Sequence, residues 1–83
     1  MAYKLVYTDR AVKDIKKLDI IARRCLKKAL EKLSISPLEY STKLINSKIG
    51  EYRFRIGDYR VIFDLVDGEI VILRVGHRRE IYR

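Results

Sequence analysis

The spacing of apolar residues changes three times along this chain, and each change marks a different kind of element. Tyr3 to Tyr7 (YKLVY) is short, aromatic and β-branched, which predicts a first strand. Thr8 then offers an N-cap hydroxyl and Asp9 suits the positive end of a helix dipole, while Val12, Ile15 and Leu18 recur at helical spacing. Asp19 reads as the cap of a second helix, with Ala22, Cys25, Leu26, Ala29, Leu30 and Leu33 as its apolar stripe. A cysteine on that stripe is expected to be core and not a nucleophile. The opposite face carries Arg23, Arg24, Lys27, Lys28 and Lys32, and Pro37 ends the helix. So short a connection between two helices predicts a helical hairpin.

Residues 37–50 (PLEYSTKLINSKIG) show no sustained period and read as loop with some local helix or strand. Period two then takes over. Tyr52, Phe54 and Ile56 alternate with Arg53 and Arg55, so the two arginines share the face opposite the aromatics. Gly57-Asp58 is a turn, Tyr59 to Val66 a second strand, and Asp67-Gly68 a strong two-residue hairpin signal. Glu69 to Val75 is almost wholly apolar, which predicts a central strand. Gly76 is expected to close it, with HRREIYR as a tail.

The resulting order is β-α-α-β-β-β, an α+β fold: an N-terminal strand, a helical hairpin, then a three-stranded antiparallel meander. Residues 1–83 are expected to form a single domain, one mostly antiparallel sheet with the helices packed on one face. Its other face is expected to be open and curved, with Arg53 and Arg55 on it.

Composition narrows the class. A chain of 83 residues has room for one core and buries only about 60–65% of its unfolded surface. A lone cysteine excludes an internal disulfide framework and fits a reducing compartment. No apolar run approaches the roughly 20 residues of a membrane span, and the N-terminus lacks a signal-peptide core, so a soluble cytoplasmic protein without a membrane partner is expected. The net charge of +8 calls for an acidic partner: nucleic acid, ribosome, an acidic protein, or more than one of these.

That charge is unevenly written. From Glu51 to the end the chain holds Arg53, Arg55, Arg60, Arg74, Arg78, Arg79 and Arg83 and no lysine. Charge that serves only solubility usually mixes the two types, whereas guanidinium every time favours planar, bidentate recognition of phosphate. The plain alternative is a solubilising sheet face. His77 and Tyr82 add two groups that can exchange protons, a neutral-range imidazole and a phenol that surrounding guanidinium groups would acidify. Their plain alternatives are a polar residue past a strand end and a packing anchor for the C-terminus.

One histidine and one cysteine cannot build a zinc site, the acids show no ligand spacing, and no GxGxxG or P-loop is present, so no metal site and no cofactor are expected. Phosphate chemistry without a dedicated metal is available on RNA, whose own 2′-OH can attack. It needs a base for that hydroxyl, cations for the phosphorane charge, and an acid or strong electrostatic help for the leaving 5′-oxygen.

The element order, the small basic chain, and above all YRFRIGDYRVIFDL with VGHRREIY resemble the RelE/ParE superfamily of type II toxins. The likeness covers essentially the whole chain and is specific from Tyr52 to Tyr82. It points to the RelE branch, metal-independent mRNA interferases that cut mRNA in the ribosomal A site. The resemblance implies that Arg60 grips the scissile phosphate, that Arg78 stabilises the transition state and assists the leaving group, and that Tyr82 acts as base toward the 2′-OH. Arg53 and Arg55 stand where relatives place two basic residues that hold RNA, often lysines. Arg79 adjoins Arg78, and either could face the site. His77 sits where some relatives have lysine and could hold RNA or take over acid or base work. The resemblance also implies a RelB-like antitoxin, acidic or amphipathic, bound in a hetero-oligomer. Two other readings share the fold: a ParE-like inhibitor of DNA gyrase without nuclease activity, and an inactive RNA-binding relative.

Overall fold

The computed structural model describes residues 2–45 and 47–81. Along them run β1 (Lys4–Tyr7), α1 (Asp9–Lys16), α2 (Ile20–Ile35), α3 (Pro37–Tyr40), β2 (Ser41–Lys43), β3 (Tyr52–Ile56), β4 (Tyr59–Val66), β5 (Glu69–His77) and α4 (Arg78–Ile81). The strands form one sheet in the order β1-β5-β4-β3-β2. β1 runs parallel to β5 and every other neighbouring pair is antiparallel. The α+β architecture expected from the pattern is the one adopted.

The two hairpins are fixed by their turn residues. Asp67 and Gly68 both take positive φ, 48° and 78°, the pairing that matches the twist of β4 and β5. In the β3–β4 loop Gly57 has φ 58°, the first position of its two-residue turn. The segment without a period supplies α3 and β2, and β2 extends the sheet beyond β3. Gly76 does not close β5: it pairs with Arg60, and His77 pairs with Tyr59, because ladder hydrogen bonds need only backbone. The tail then turns into α4.

Both helix caps are as read from the sequence. The Asp19 carboxylate accepts from Ala22 N at 2.7 Å. The Thr8 hydroxyl accepts from Ala11 N at 3.2 Å and itself donates to the Ile72 carbonyl at 2.9 Å, so the cap also ties α1 to β5. β1 ends opposite Ile72, which leaves the outer edge of β5 bare beyond that point. Asp14 covers it. Its carboxylate, only 6% exposed, accepts from Val75 N at 3.0 Å and Arg74 Nε at 2.8 Å, with Arg10 3.5 Å away. A side chain thus supplies the acceptor that a further strand would have supplied, and a charge-assisted bond of this kind contributes about 1.5–3 kcal/mol.

The core lies between the hairpin and one face of the sheet. Ala11, Leu26, Leu30 and Leu33 meet Phe54, Val61, Phe63, Ile70, Ile72 and Val75, and the Tyr52 ring stacks on Phe63 with centroids 5.4 Å apart. Two sequence expectations fail at its margin. Val12 is 39% exposed, and the buried residues of α1 are Ala11 and Asp14, because the helix docks through that carboxylate and not through a wholly apolar stripe. Cys25 is exposed and not core. Leu26, Leu30 and Leu33 form the buried line, and Cys25, one residue or about 100° round the helix, falls on its flank.

The second face is less open than expected. Ile62 and Ile81 are buried at 0% and 1% exposure, outside the main core cluster. Gly50 lies directly over that face: a Cβ there would overlap Ile62 Cγ2 and come within 2.9 Å of Leu73 Cδ1. Glu51 N donates to Asp64 Oδ1 at 2.8 Å, holding the same loop down.

Candidate nucleic-acid interface

Register decides which basic side chains meet. Arg53 pairs with Ile62 and Arg55 with Arg60, while Arg60 pairs on its other side with Gly76. Residues directly opposite share a face, so Arg53, Arg55 and Arg60 stand together on the side away from the helical hairpin. Arg55 and Arg60 are a cross-strand pair of like charges, an arrangement that costs energy unless an anion lies between or beside them. Gly76 keeps the neighbouring position on β5 empty, since a Cβ there would find nothing within 4 Å. The position beside Arg60 on β5 is therefore bare backbone with open space above it.

The three arginines are held differently. Arg55 is exposed. Arg60 is only 6% exposed, and its Nη1 donates to the carbonyls of Gly57 at 2.8 Å and Tyr59 at 2.9 Å. Those bonds lock the guanidinium over the β3–β4 turn, so its direction is set before any ligand arrives. Arg53 is half-buried, and its Nε–H is enclosed without a hydrogen-bond partner among the described residues. Leaving such a donor unmet costs about 1–3 kcal/mol, which an incoming acceptor would recover.

Arg78 and Arg79 are exposed on α4, where Arg78 N donates to the Asp58 carbonyl at 2.8 Å and so anchors the turn to the β3–β4 hairpin. Tyr82, the expected base, lies outside the described residues. His77 does not join the arginines. It pairs with Tyr59 on the hairpin side, edge to face at 5.9 Å, and both line a polar cleft against Asp14, Lys17 and Leu18. Its Nδ1 accepts from Arg79 N at 3.2 Å, so it serves the start of α4. Arg74, from the same lysine-free run, is spent on Asp14. Sequence reading missed Gly50, Gly76 and Asp14. The alternation that placed Arg53 and Arg55 extends across the sheet to Gly76 once the register is known, but nothing local marks the other two.

Comparison with known proteins shows the family. The sequence model of the ParE toxin of the type II toxin–antitoxin system matches residues 5–82. Toxin RelG of Mycobacterium tuberculosis is 35% identical over 86 residues, covering 100% of this chain and 99% of the relative. The chain belongs to the RelE/ParE superfamily as a RelE-like toxin of a type II system. Toxin RelE3 of Methanocaldococcus jannaschii is 30% identical, with 95% of this chain and 94% of the relative covered. Among solved structures, the toxin–antitoxin complex RelBE2 of M. tuberculosis superposes on this RelE-like toxin with a TM-score of 0.85 at 31% identity, covering 94% of this chain and 100% of that one. The intact RelBE complex of Escherichia coli gives 0.77 at 30% identity, covering 92% and 96%. No described helix of the toxin is long and apolar enough to cross a membrane.

Proposed function

We propose that this RelE-like toxin is a ribosome-dependent mRNA endonuclease that cuts in the A site and so stops translation in the cytoplasm. The observation that carries the reading is the arginine face, in which Arg53 has an enclosed donor without an acceptor among the described residues and Arg55 and Arg60 stand opposite each other in the strand register. Both features are costly in the free protein and favourable around a phosphate. Arg53 and Arg55 hold the RNA backbone and Arg60 the scissile phosphate. The 2′-OH adjacent to that phosphate attacks it and loses its proton to a base, the P–O5′ bond breaks, and the departing 5′-oxygen takes a proton from water, leaving a 2′,3′-cyclic phosphate and a 5′-hydroxyl. Arg78 stabilises the phosphorane charge, with Arg79 beside it on the exposed turn. The base role goes to Tyr82 and not to His77, because the His77 ring lies on the hairpin side of the sheet.

The solved relatives named above are toxin–antitoxin complexes, and a domain of charge +8 is suited to an acidic segment. A RelB-like antitoxin is therefore the proposed partner, in a hetero-oligomer. The description of the matching family supports a second reading, a ParE-like gyrase inhibitor without nuclease chemistry. Purified protein added to programmed ribosomes, with primer extension on the mRNA and gyrase supercoiling measured in parallel, separates the two. Codon-dependent A-site cuts that are weak on naked RNA are expected. Intact mRNA beside trapped gyrase–DNA breaks would establish the second reading instead. Tyr82→Phe is expected to abolish cutting where His77→Ala does not, and the reverse result would reassign the base.

A further inference from the structure

Three ties among the described residues hold the turn into α4. Arg78 N donates to the Asp58 carbonyl at 2.8 Å, and the carbonyl before it, that of Gly57, accepts from Arg60 Nη1 at 2.8 Å. One two-residue turn therefore sets Arg60 and the Arg78 backbone relative to each other. Ile81, 1% exposed, anchors the far end of α4 by burial. The third tie is the His77 ring, whose Nδ1 accepts from Arg79 N at 3.2 Å. A backbone N–H only donates, so this bond requires an Nδ1 without a proton. The first two ties are blind to pH, whereas an imidazolium, with a proton on both nitrogens, cannot make the third.

The ring is held where it can serve as that acceptor. Strand pairing sets His77 opposite Tyr59, whose ring meets it edge to face at 5.9 Å. In the cleft beside it both signs of charge are present, with Arg10, Asp14 and Lys17 from α1 and its end, Asp19 from the cap of α2, Arg74 from β5 and Glu80 from α4. Asp14 is already engaged by Arg74 Nε and Val75 N.

We propose that His77 is a positioning residue: its unprotonated Nδ1 sets the first turn of α4, and with it the place of Arg78 at the scissile phosphate, so that protonation of the ring slows mRNA cutting. The proposal rests on the endonuclease reading given above and adds to it a dependence on one proton. The ring acts through Arg78 and not on RNA, because it lies on the hairpin side of the sheet. Losing its bond leaves the Asp58 and Ile81 ties in place, so the fold survives while α4 shifts. A displacement of about 1 Å in a group that stabilises the transition state is enough to cost up to about 10²-fold in rate. The sign follows from the acceptor: it is present in neutral solution and lost as the pH falls.

Wild type, His77→Ala and His77→Asn are compared for mRNA cutting on programmed ribosomes, at saturating and limiting toxin, between about pH 8 and about pH 6. Exchange of the Arg79 amide is read by NMR on each free toxin at a single pH. His77→Ala is expected to lower the saturating rate about tenfold, with the half-saturating toxin concentration and the melting temperature unchanged. Asparagine keeps an acceptor oxygen and does not titrate, so His77→Asn is expected to come within about twofold of wild type at the upper pH. The wild-type rate divided by the asparagine rate is expected to fall at least about twofold toward the lower pH, since Asp14, Asp19, Glu80 and the tyrosines titrate in both proteins. The Arg79 amide is expected to exchange about tenfold faster in His77→Ala than in the other two. An alanine variant as fast as wild type, an asparagine variant as slow as alanine, or an amide that exchanges equally in all three overturns the proposal and leaves the endonuclease reading standing. A ratio that stays constant with pH overturns it too. Intact mRNA with the wild-type protein removes the parent reading and the proposal with it, whatever the amide shows.

Discussion

The two faces of one sheet are built from alternate residues of the same strands, yet they obey different rules. Toward the hairpin, Phe54, Val61, Phe63 and Val75 are satisfied by contact, and no enclosed side-chain donor or acceptor among the described residues there lacks a partner. On the other side Arg53, Arg55 and Arg60 occupy the intervening positions with an unmet donor and like charges in register. One face stabilises the fold through apolar contact, and the other holds features that cost energy in the free protein. Small residues matter on the second face for what they leave empty, as at Gly76, or let approach, as at Gly50.

Four substitutions test this division. Phe63→Ala should be the most damaging to the fold, costing about 3–5 kcal/mol in urea unfolding through a cavity under α2. A loss below about 1 kcal/mol would show that the hairpin face is not the core. Arg78→Ala should lower ribosome-dependent cutting by about 10²–10³-fold and leave the melting temperature unchanged, because the side chain is exposed. Equal losses in cutting and stability would mean that α4 is structural only. Asp14→Ala should cost about 2–3 kcal/mol, since Val75 N and the Arg74 guanidinium lose their acceptor, and Asp14→Asn should recover part of it. If thermal unfolding puts the alanine variant level with wild type, the clasp on β5 contributes nothing. Gly76→Ala should change stability by less than about 0.5 kcal/mol, as a Cβ there meets no neighbour, while placing a methyl beside Arg60. Reduced cutting at unchanged stability would make the open space at Gly76 part of the site, and full activity would exclude it.

Much of this was legible along the chain. Thr8, Asp19, Asp67-Gly68 and the alternation from Tyr52 to Ile56 are local signals, and each produced the element it predicts, because caps, turns and strand pleats depend on residues a few positions apart. The errors are nonlocal. Cys25 has the right spacing for a buried stripe, but a stripe is only as wide as the surface it meets. Asp14 reads as a surface acid until β1 is found to stop opposite Ile72 and leave Val75 N in need of an acceptor. His77 and Arg78 are neighbours in sequence, yet His77 belongs to the hairpin side because strand alternation runs on through Gly76.

The sequence by itself determined the order of elements, the basic character and the choice of arginine over lysine in the last third, since these follow from residue chemistry and short-range spacing. Only the tertiary structure decided which arginines share a face and which is spent on Asp14. It also decided that Arg60 is locked beneath the surface, that Cys25 is exposed, and that Gly50 and Gly76 matter for opposite reasons. Those outcomes depend on strand register and on what one element leaves uncovered for another, and both are set by contacts between residues far apart in the chain.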